Sequence, residues 1–406
     1  MKKILKIYVE AYSGLSKESW MLAIVMLLNR TGSMVLPFLG IYLTDKLGFS
    51  LKDSGIVLSC FGIGSLIGSS LGGYLTDKFG NFKIQAFSLL LSAPLFAALP
   101  HFQTLESISI MMLILSLVSM LFMPANSVAI TRYARKENIT RAFSLNRMAV
   151  NLGFSFGPAL GGFLSNYSYS LLFYVNAAAA LFAGVAFIVF FYNRKERNTD
   201  EDLIELDTNE MPKKERNAYT DWQFWIFTIF AATFSIGFFQ ILNTLPLFYK
   251  TVAKLSSSEI GILMGFSGFC VFVFEMLLVH WAEKKFTIVE ILFYGSIITG
   301  VSYSIFGFTF YLPLMFAAIF LMSIGEMLVL PFLSTVTALR AGNKNKGAYM
   351  GINGLSGALA FIVSPYIGTV VATKYNFEVL WFGTAISLLL TAIGFKITVK
   401  RLLENK

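Results

Sequence analysis

Charged residues are scarce in this chain of 406 residues. They make up 14% of the sequence, whereas hydrophobic residues make up 56%. A soluble domain carries about 25% charged residues, so the deficit is large. A soluble protein of this composition would have too little polar surface to stay dispersed. The composition therefore excludes an ordinary soluble domain.

Cysteine and histidine are also rare. The two cysteines, Cys60 and Cys270, lie in apolar runs without a CxxC spacing, and His101 and His280 lack metal-ligand spacing. We therefore expect no disulfide framework, no metal site and no cofactor. The chain also lacks a phosphate-binding loop and a nucleophile–base motif, so we expect no enzymatic activity and an ion gradient as the energy source.

Long apolar runs are abundant instead. A run of about 20 apolar residues matches the bilayer core, where a helix satisfies its own backbone hydrogen bonds. Twelve such spans are predicted, and the polar stretch 193–220 divides them six and six. The predicted spans cover residues 20–43, 53–75, 84–99, 107–130, 142–166, 168–192, 221–249, 259–281, 287–309, 313–338, 347–372 and 377–397.

The two halves of the chain resemble each other in sequence. An offset of 207 positions aligns Pro124 with Pro331 and Asn146 with Asn353. Parallel repeats of this kind are typical of alternating-access carriers, whose site lies at the midplane between the halves. We predict an all-α membrane protein with 12 transmembrane helices in two six-helix, pseudo-symmetric bundles. The predicted units are an N-terminal bundle (1–192), a cytoplasmic linker (193–220) and a C-terminal bundle (221–406).

Lysine and arginine are unevenly distributed between the two sides of the predicted bundle. With both termini placed inside, 25 of the 32 fall in inner segments and 5 in outer loops, while Arg30 and Arg147 fall within helices. The positive-inside rule then predicts cytoplasmic termini and a multi-pass protein of the cell membrane, plasma or inner. The net charge of +9 needs no nucleic-acid partner, because this distribution in a lipid bilayer accounts for it.

A segment rich in glycine closes predicted span 2. Residues 72–83 read GGYLTDKFGNFK, and this segment resembles motif A of the major facilitator superfamily. The resemblance implies a gating group of Asp77, Lys78 and Gly80, in which Asp77 meets the N-terminus of span 11 when the cytoplasmic side closes. Asn81 stands where the family usually has a basic residue, which weakens this latch. The alternative is an ordinary solvated turn.

A second motif lies in predicted span 5. Residues 153–162 read GFSFGPALGG and resemble motif C, the signature of the drug:proton antiporter branch of the superfamily. Small residues every four positions make a flat face for close helix packing, and a proline kinks the helix. Generic small-residue packing is the alternative. The gating candidates here are Gly153, Gly157, Pro158, Gly161 and Gly162.

Two features qualify the resemblance to the antiporter branch: a missing motif and a faint similarity to another branch. Span 4 is uncharged over residues 110–123, so the basic residue of the family's motif B is missing. Asn29, Arg30 and Gly32 in span 1 are faintly similar to a motif of proton-coupled peptide transporters, although the glutamates of that motif are absent.

Ionisable residues at membrane depth are expensive and indicate function by default. Arg30 in span 1 and Glu326 in span 10 both lie near the predicted midplane, on spans that line the cavity in this superfamily. We therefore predict that they bind substrate and protons. The alternative is an Arg30–Glu326 pair that only stabilises packing.

Arg147 in span 5 and Glu275 in span 8 lie at similar depth, roughly 9 to 12 Å from the cytoplasmic end at 1.5 Å per residue. The resemblance places spans 5 and 8 side by side between the halves. We therefore predict a charge pair that helps to close the cytoplasmic side. Further polar candidates for the cavity are Asn29, Gln240, Asn243, Asn146 and Asn353.

Three functions remain open at this point. The motifs favour a monomeric, proton-coupled secondary transporter that exports small amphipathic compounds by antiport. The runner-up is a proton-coupled symporter that imports a nutrient such as a peptide or sugar. A non-transporting receptor or lipid-handling scaffold is a third possibility, which predicts an enlarged soluble segment that this sequence does not contain.

Overall fold

The computed structural model describes residues 14–32, 34–135, 138–196, 217–341 and 346–404. Over these ranges the regular elements are helices, with no strand. We number the helices by span. The first half contains α1a (Lys17–Thr31), α1b (Val35–Ile41), α2 (Leu51–Phe79), α3 (Asn81–Ala98), α4a (Leu105–Met120), α4b (Phe122–Tyr133), α5 (Ile139–Ser165) and α6 (Tyr169–Phe191).

The second half repeats this order. It contains α7a (Trp222–Phe238), α7b (Thr244–Thr251), α8 (Ser257–Lys285), α9 (Ile288–Phe308), α10 (Leu312–Ala341), α11 (Lys346–Lys374) and α12 (Phe377–Glu404). Within the described residues, eleven spans are long and apolar enough to cross a membrane. The remaining span, α5, is 27 residues long and carries two arginines, Arg141 and Arg147, in its first half. The predicted all-α architecture is confirmed.

Side-chain caps determine where several spans begin. The Ser50 hydroxyl accepts a hydrogen bond from the Asp53 amide at the start of α2. Ser256 and Glu259 form a reciprocal capping box at the start of α8. Each cap satisfies a backbone donor that the first turn of a helix leaves free. Between α2 and α3 the chain reverses at Gly80, whose φ of 86° favours glycine.

Helix pairing shows the internal repeat. In the first half α1a packs on α5, α2 on α4a and α3 on α6; in the second half α7a packs on α11, α8 on α10 and α9 on α12. Each pair of one half therefore has its counterpart six spans later. The proposed domain limits 193 and 220 stay a prediction, because residues 197–216 lie outside the described part of the chain.

The two halves meet through α2 with α11, α5 with α8, and α1b with α7b. We call the end of the bundle that holds Tyr192 and Asn217 the linker face, and the opposite end the far face. Toward the far face the Ser59 hydroxyl donates to the Ile362 carbonyl at 2.8 Å. Toward the linker face Gly73 of α2 has open space beside it. The halves are therefore closed together at the far face.

Candidate transport site

A charged cluster joins the halves between α5 and α8. The Arg147 guanidinium forms an ion pair with the Glu275 carboxylate. Asn151, one turn along α5, donates its Nδ2 to Glu275 Oε2 at 2.9 Å. The structure thus contains the pair expected from the sequence, and it adds Asn151, whose i+4 spacing from Arg147 is the signal that could have identified it. The gating role of the pair stays a prediction.

Glu326 lies midway along α10, beside this cluster. It is half-buried, and Glu275 and Arg147 are the charged groups that act on it electrostatically. Among the residues that the structure describes, Glu326 has no hydrogen bond or ion pair. Two carboxylates of the second half therefore share the vicinity of one guanidinium from the first half.

A cavity of about 320 Å³ opens beside the cluster. Its walls come from α5, α8 and α10, and they include Glu275, His280 and Glu283 along α8 and Pro331 on α10. From Glu275 to Glu283 a helix rises about 12 Å. The polar wall of the cavity therefore runs from the charged cluster toward the linker face.

Arg30 lies on a different side of α5. Its Nη2 donates to Met123 Sδ at 2.9 Å, and its guanidinium carbon is 5.8 Å from the centroid of the Phe154 ring. Since Glu326 has no ion-pair partner within the described ranges, the alternative Arg30–Glu326 pair is not formed in this structure.

The glycines of the second motif serve two interfaces. Gly153 and Gly157 pack on α1a, where a Cβ at Gly153 would approach Arg30 Cβ to 2.5 Å. Gly161 packs on Met34 just beyond α1a. Gly162 packs on α8, where a Cβ would lie 2.3 Å from a main-chain oxygen. Pro158 contributes its carbonyl to the same contact with α8. The motif therefore seats α5 against its own half and against the other half.

The first motif closes α2 at the linker face and includes the turn at Gly80. Asp77 and Lys78 are exposed, and within the described side chains Asp77 forms no hydrogen bond or ion pair with α11. Tyr349, at the start of α11, instead donates its hydroxyl to Asp221 of its own half at 2.8 Å. Asn81 donates to Glu196 Oε1 at 2.8 Å and so anchors the start of the linker segment. The expected contact falls partly on residues 346–348, whose side chains lie outside the described part of the chain, so the gating role of Asp77, Lys78 and Gly80 stays a prediction.

The remaining polar candidates are dispersed. Gln240 and Asn243 are buried where α7a gives way to α7b; Gln240 Nε2 donates to Thr384 Oγ1 at 3.2 Å and Asn243 Nδ2 to the Phe239 carbonyl at 3.1 Å. Asn146 accepts from Asn126 Nδ2 at 3.3 Å. The half-buried residues Asn29 and Asn353 complete the set.

A buried ion pair at the linker face was missed by sequence reasoning. Arg340 Nε lies 2.7 Å from Asp221 Oδ2, and each side chain is 6% exposed. Burial favours the neutral form of Asp221, but hydrogen bonds from Arg340 and Tyr349 outweigh it and hold the pKa of the carboxyl below its usual value. The pair ties the ends of α7a, α10 and α11 together.

Two repeated bundles that enclose a charged cavity between them define a secondary transporter. The sequence profile described as Major Facilitator Superfamily matches residues 21–288 and 249–404. The chain therefore belongs to the major facilitator superfamily, and it is a multi-pass membrane transporter.

Two curated relatives illustrate its neighbours in sequence. The chain is 27% identical over 391 residues to the uncharacterized MFS-type transporter YttB of Bacillus subtilis, a match that covers 95% of this chain and 96% of the relative. It is 24% identical over 376 residues to the multidrug resistance protein MdtH of Shigella sonnei, with 91% of each chain covered.

Solved structures agree on the fold. A peptide transporter POT in complex with sulfate superposes with a TM-score of 0.79 at 17% identity, covering 97% of this chain and 96% of that one. The nucleoside transporter NupG gives a TM-score of 0.76 at 16% identity, covering 95% and 100%. At these identities the likeness shows the fold alone.

Proposed function

We propose that this protein is a proton-coupled antiporter that exports small amphipathic compounds from the cell, working as a monomer by alternating access. It lies in the plasma or inner membrane with both termini and the linker face in the cytoplasm, on the strength of the lysine and arginine distribution. The arrangement described here then opens toward the cytoplasm and is closed toward the outside.

The observation that carries the proposal is the lack of a partner for Glu326 within the described residues. The guanidinium of Arg147 compensates the charge of one carboxylate, and it is already paired with the carboxylate of Glu275. A second charge at the midplane stays uncompensated, which is costly in a membrane interior. A bound proton removes this cost, and so does a cationic substrate. Competition of proton and substrate for Glu326 is the chemistry that an antiporter requires.

The coupling between protonation and closure runs through Arg147. This residue belongs to the first half, whereas both carboxylates belong to the second. Loss of the proton from Glu326 gives the guanidinium a second anionic partner, so the pull between the halves depends on protonation. The ion pair with Glu275 is already formed while α2 and α11 stand apart at the linker face, so it acts as a joint between the halves rather than as the final latch.

The motif C resemblance supports export, as does the likeness to a multidrug resistance protein. The runner-up, import by a proton symporter, rests on Arg30, because a guanidinium at this depth would hold a substrate carboxylate.

Transport into proteoliposomes with an imposed pH gradient distinguishes the two functions. In antiport, a lipophilic cation accumulates in the vesicles in exchange for protons that leave down their gradient. In symport, a small peptide enters together with protons. We expect cation accumulation by wild type and its loss in Glu326→Gln. The control Glu106→Gln should behave like wild type, because Glu106 is exposed in the first turn of α4a, at the far face. Peptide-driven proton entry that survives in Glu326→Gln would reject the antiporter.

A further inference from the structure

Two apolar grooves flank Trp281 on the outer side of α8. One groove, of about 280 Å³, lies between α8 and α10 and is lined by residues such as Phe274 and Phe320. The other, also about 280 Å³, reaches α9 and is lined by Phe286 and Tyr294 among others. Trp281 forms a wall of both grooves and is 47% exposed. The tryptophan therefore separates two neighbouring slots of equal size.

A lysine stands over the tryptophan. Lys285 Nζ lies 5.6 Å from the centroid of the Trp281 ring, at the last residue of α8. Lys285 is exposed and has no ion-pair partner in the described part of the chain. Tryptophan at the end of a span with lysine just beyond it is typical of the membrane–water interface.

The nearby acidic residues do not neutralise this lysine. Glu283 lines the cavity between the halves, on the opposite side of α8. Glu290 caps α9, because its Oε2 accepts from the Thr287 amide at 2.8 Å and from the Thr287 hydroxyl at 2.9 Å. The charge of Lys285 is therefore available to an anion that approaches from the bilayer.

We propose that this surface binds one phospholipid with an acidic headgroup, with an acyl chain in each groove astride Trp281 and the headgroup at Lys285. The paired slots match the two chains of one lipid, and the ammonium group of Lys285 matches one headgroup phosphate. Basic residues at the cytoplasmic ends of spans attract acidic lipids. The site depends on the protein being in a membrane and is independent of proton coupling or export.

The test is native mass spectrometry of the full chain, purified in detergent and exposed to equal amounts of phosphatidylglycerol and phosphatidylcholine with identical chains. We expect wild type to retain one phosphatidylglycerol molecule in preference to phosphatidylcholine. Loss of one lysine near the membrane surface reduces attraction by about 1 kcal/mol, so Lys285→Gln lowers the preference about fivefold. Trp281→Ala releases both lipids, and circular dichroism confirms that each variant is folded.

The matched control is Lys374→Gln. Lys374 Nζ also lies over an aromatic ring, 5.5 Å from the centroid of Tyr375, but at the far face of the bundle. This variant keeps the lipid preference. Equal retention of the two lipids by wild type, a preference that survives Lys285→Gln, or a dimer mass that Trp281→Ala abolishes would each overturn the proposal, the last by assigning the surface to a second copy of the chain.

Discussion

Replacement of Asp221 by asparagine removes the anion from the buried pair at the linker face. The carboxylate accepts hydrogen bonds from Arg340 Nε at 2.7 Å, from Arg340 Nη2 at 3.1 Å and from the Tyr349 hydroxyl at 2.8 Å. Breaking one partner of a buried pair costs about 3–5 kcal/mol because a charge is left uncompensated. Asparagine retains one acceptor oxygen, so we expect Asp221→Asn to lower the free energy of unfolding by about 3 kcal/mol.

The assay is reversible unfolding in mixed micelles by titration with a denaturing detergent at neutral pH. The control is Asp45→Asn, which breaks the partly exposed pair of Asp45 and Lys250, whose charged atoms are 3.6 Å apart and whose side chains are 34% and 30% exposed. Such pairs contribute about 0–1 kcal/mol. Equal losses for the two variants would refute the argument that burial makes the difference.

The remaining predictions concern the same pair and the junction of the halves. Because the pKa of Asp221 is lowered in the folded state, the stabilisation by its carboxylate is present above the unfolded pKa of about 3.9 and is lost as the pH falls below that value. The difference in free energy of unfolding between wild type and Asp221→Asn should therefore shrink in acid, and a constant difference would contradict this reasoning. Gly162→Val should abolish transport because its side chain collides with the main chain of α8, whereas Gly383→Ala, beside open space, should transport normally. Arg147→Gln should impair transport by leaving Glu275 as an uncompensated charge, and adding Glu275→Gln should restore the folded yield; no restoration contradicts the pairing.

Much of the architecture was predictable because bilayer thickness imposes a strong pattern. Apolar run length located the spans. The similar depth of Arg147 and Glu275, together with the resemblance that places spans 5 and 8 side by side, predicted that pair between the halves. The breaks within spans 1, 4 and 7 were not predicted. Hydropathy averages over a window, so it does not register the interruption at Gly32 or at Leu121.

The vicinity of Glu326 was harder to predict. A helix that is apolar all round has no periodicity that reveals which face meets which neighbour. Depth in the sequence therefore left open whether Arg30 and Glu326 pair or act separately, whereas the fold places Glu275 and Arg147 near Glu326. The predicted latch at Asp77 was out of reach for a different reason, because one sequence is common to all arrangements of an alternating-access carrier.

Proton release on substrate binding tests the central claim most directly. Wild-type protein in detergent and weakly buffered solution is mixed with a lipophilic cation, and the pH change is compared with that of Glu326→Gln and Glu106→Gln. Competition at Glu326 predicts that wild type and Glu106→Gln release a proton and that Glu326→Gln releases none while still binding the cation. Undiminished release from Glu326→Gln would show that the exchanged proton resides elsewhere.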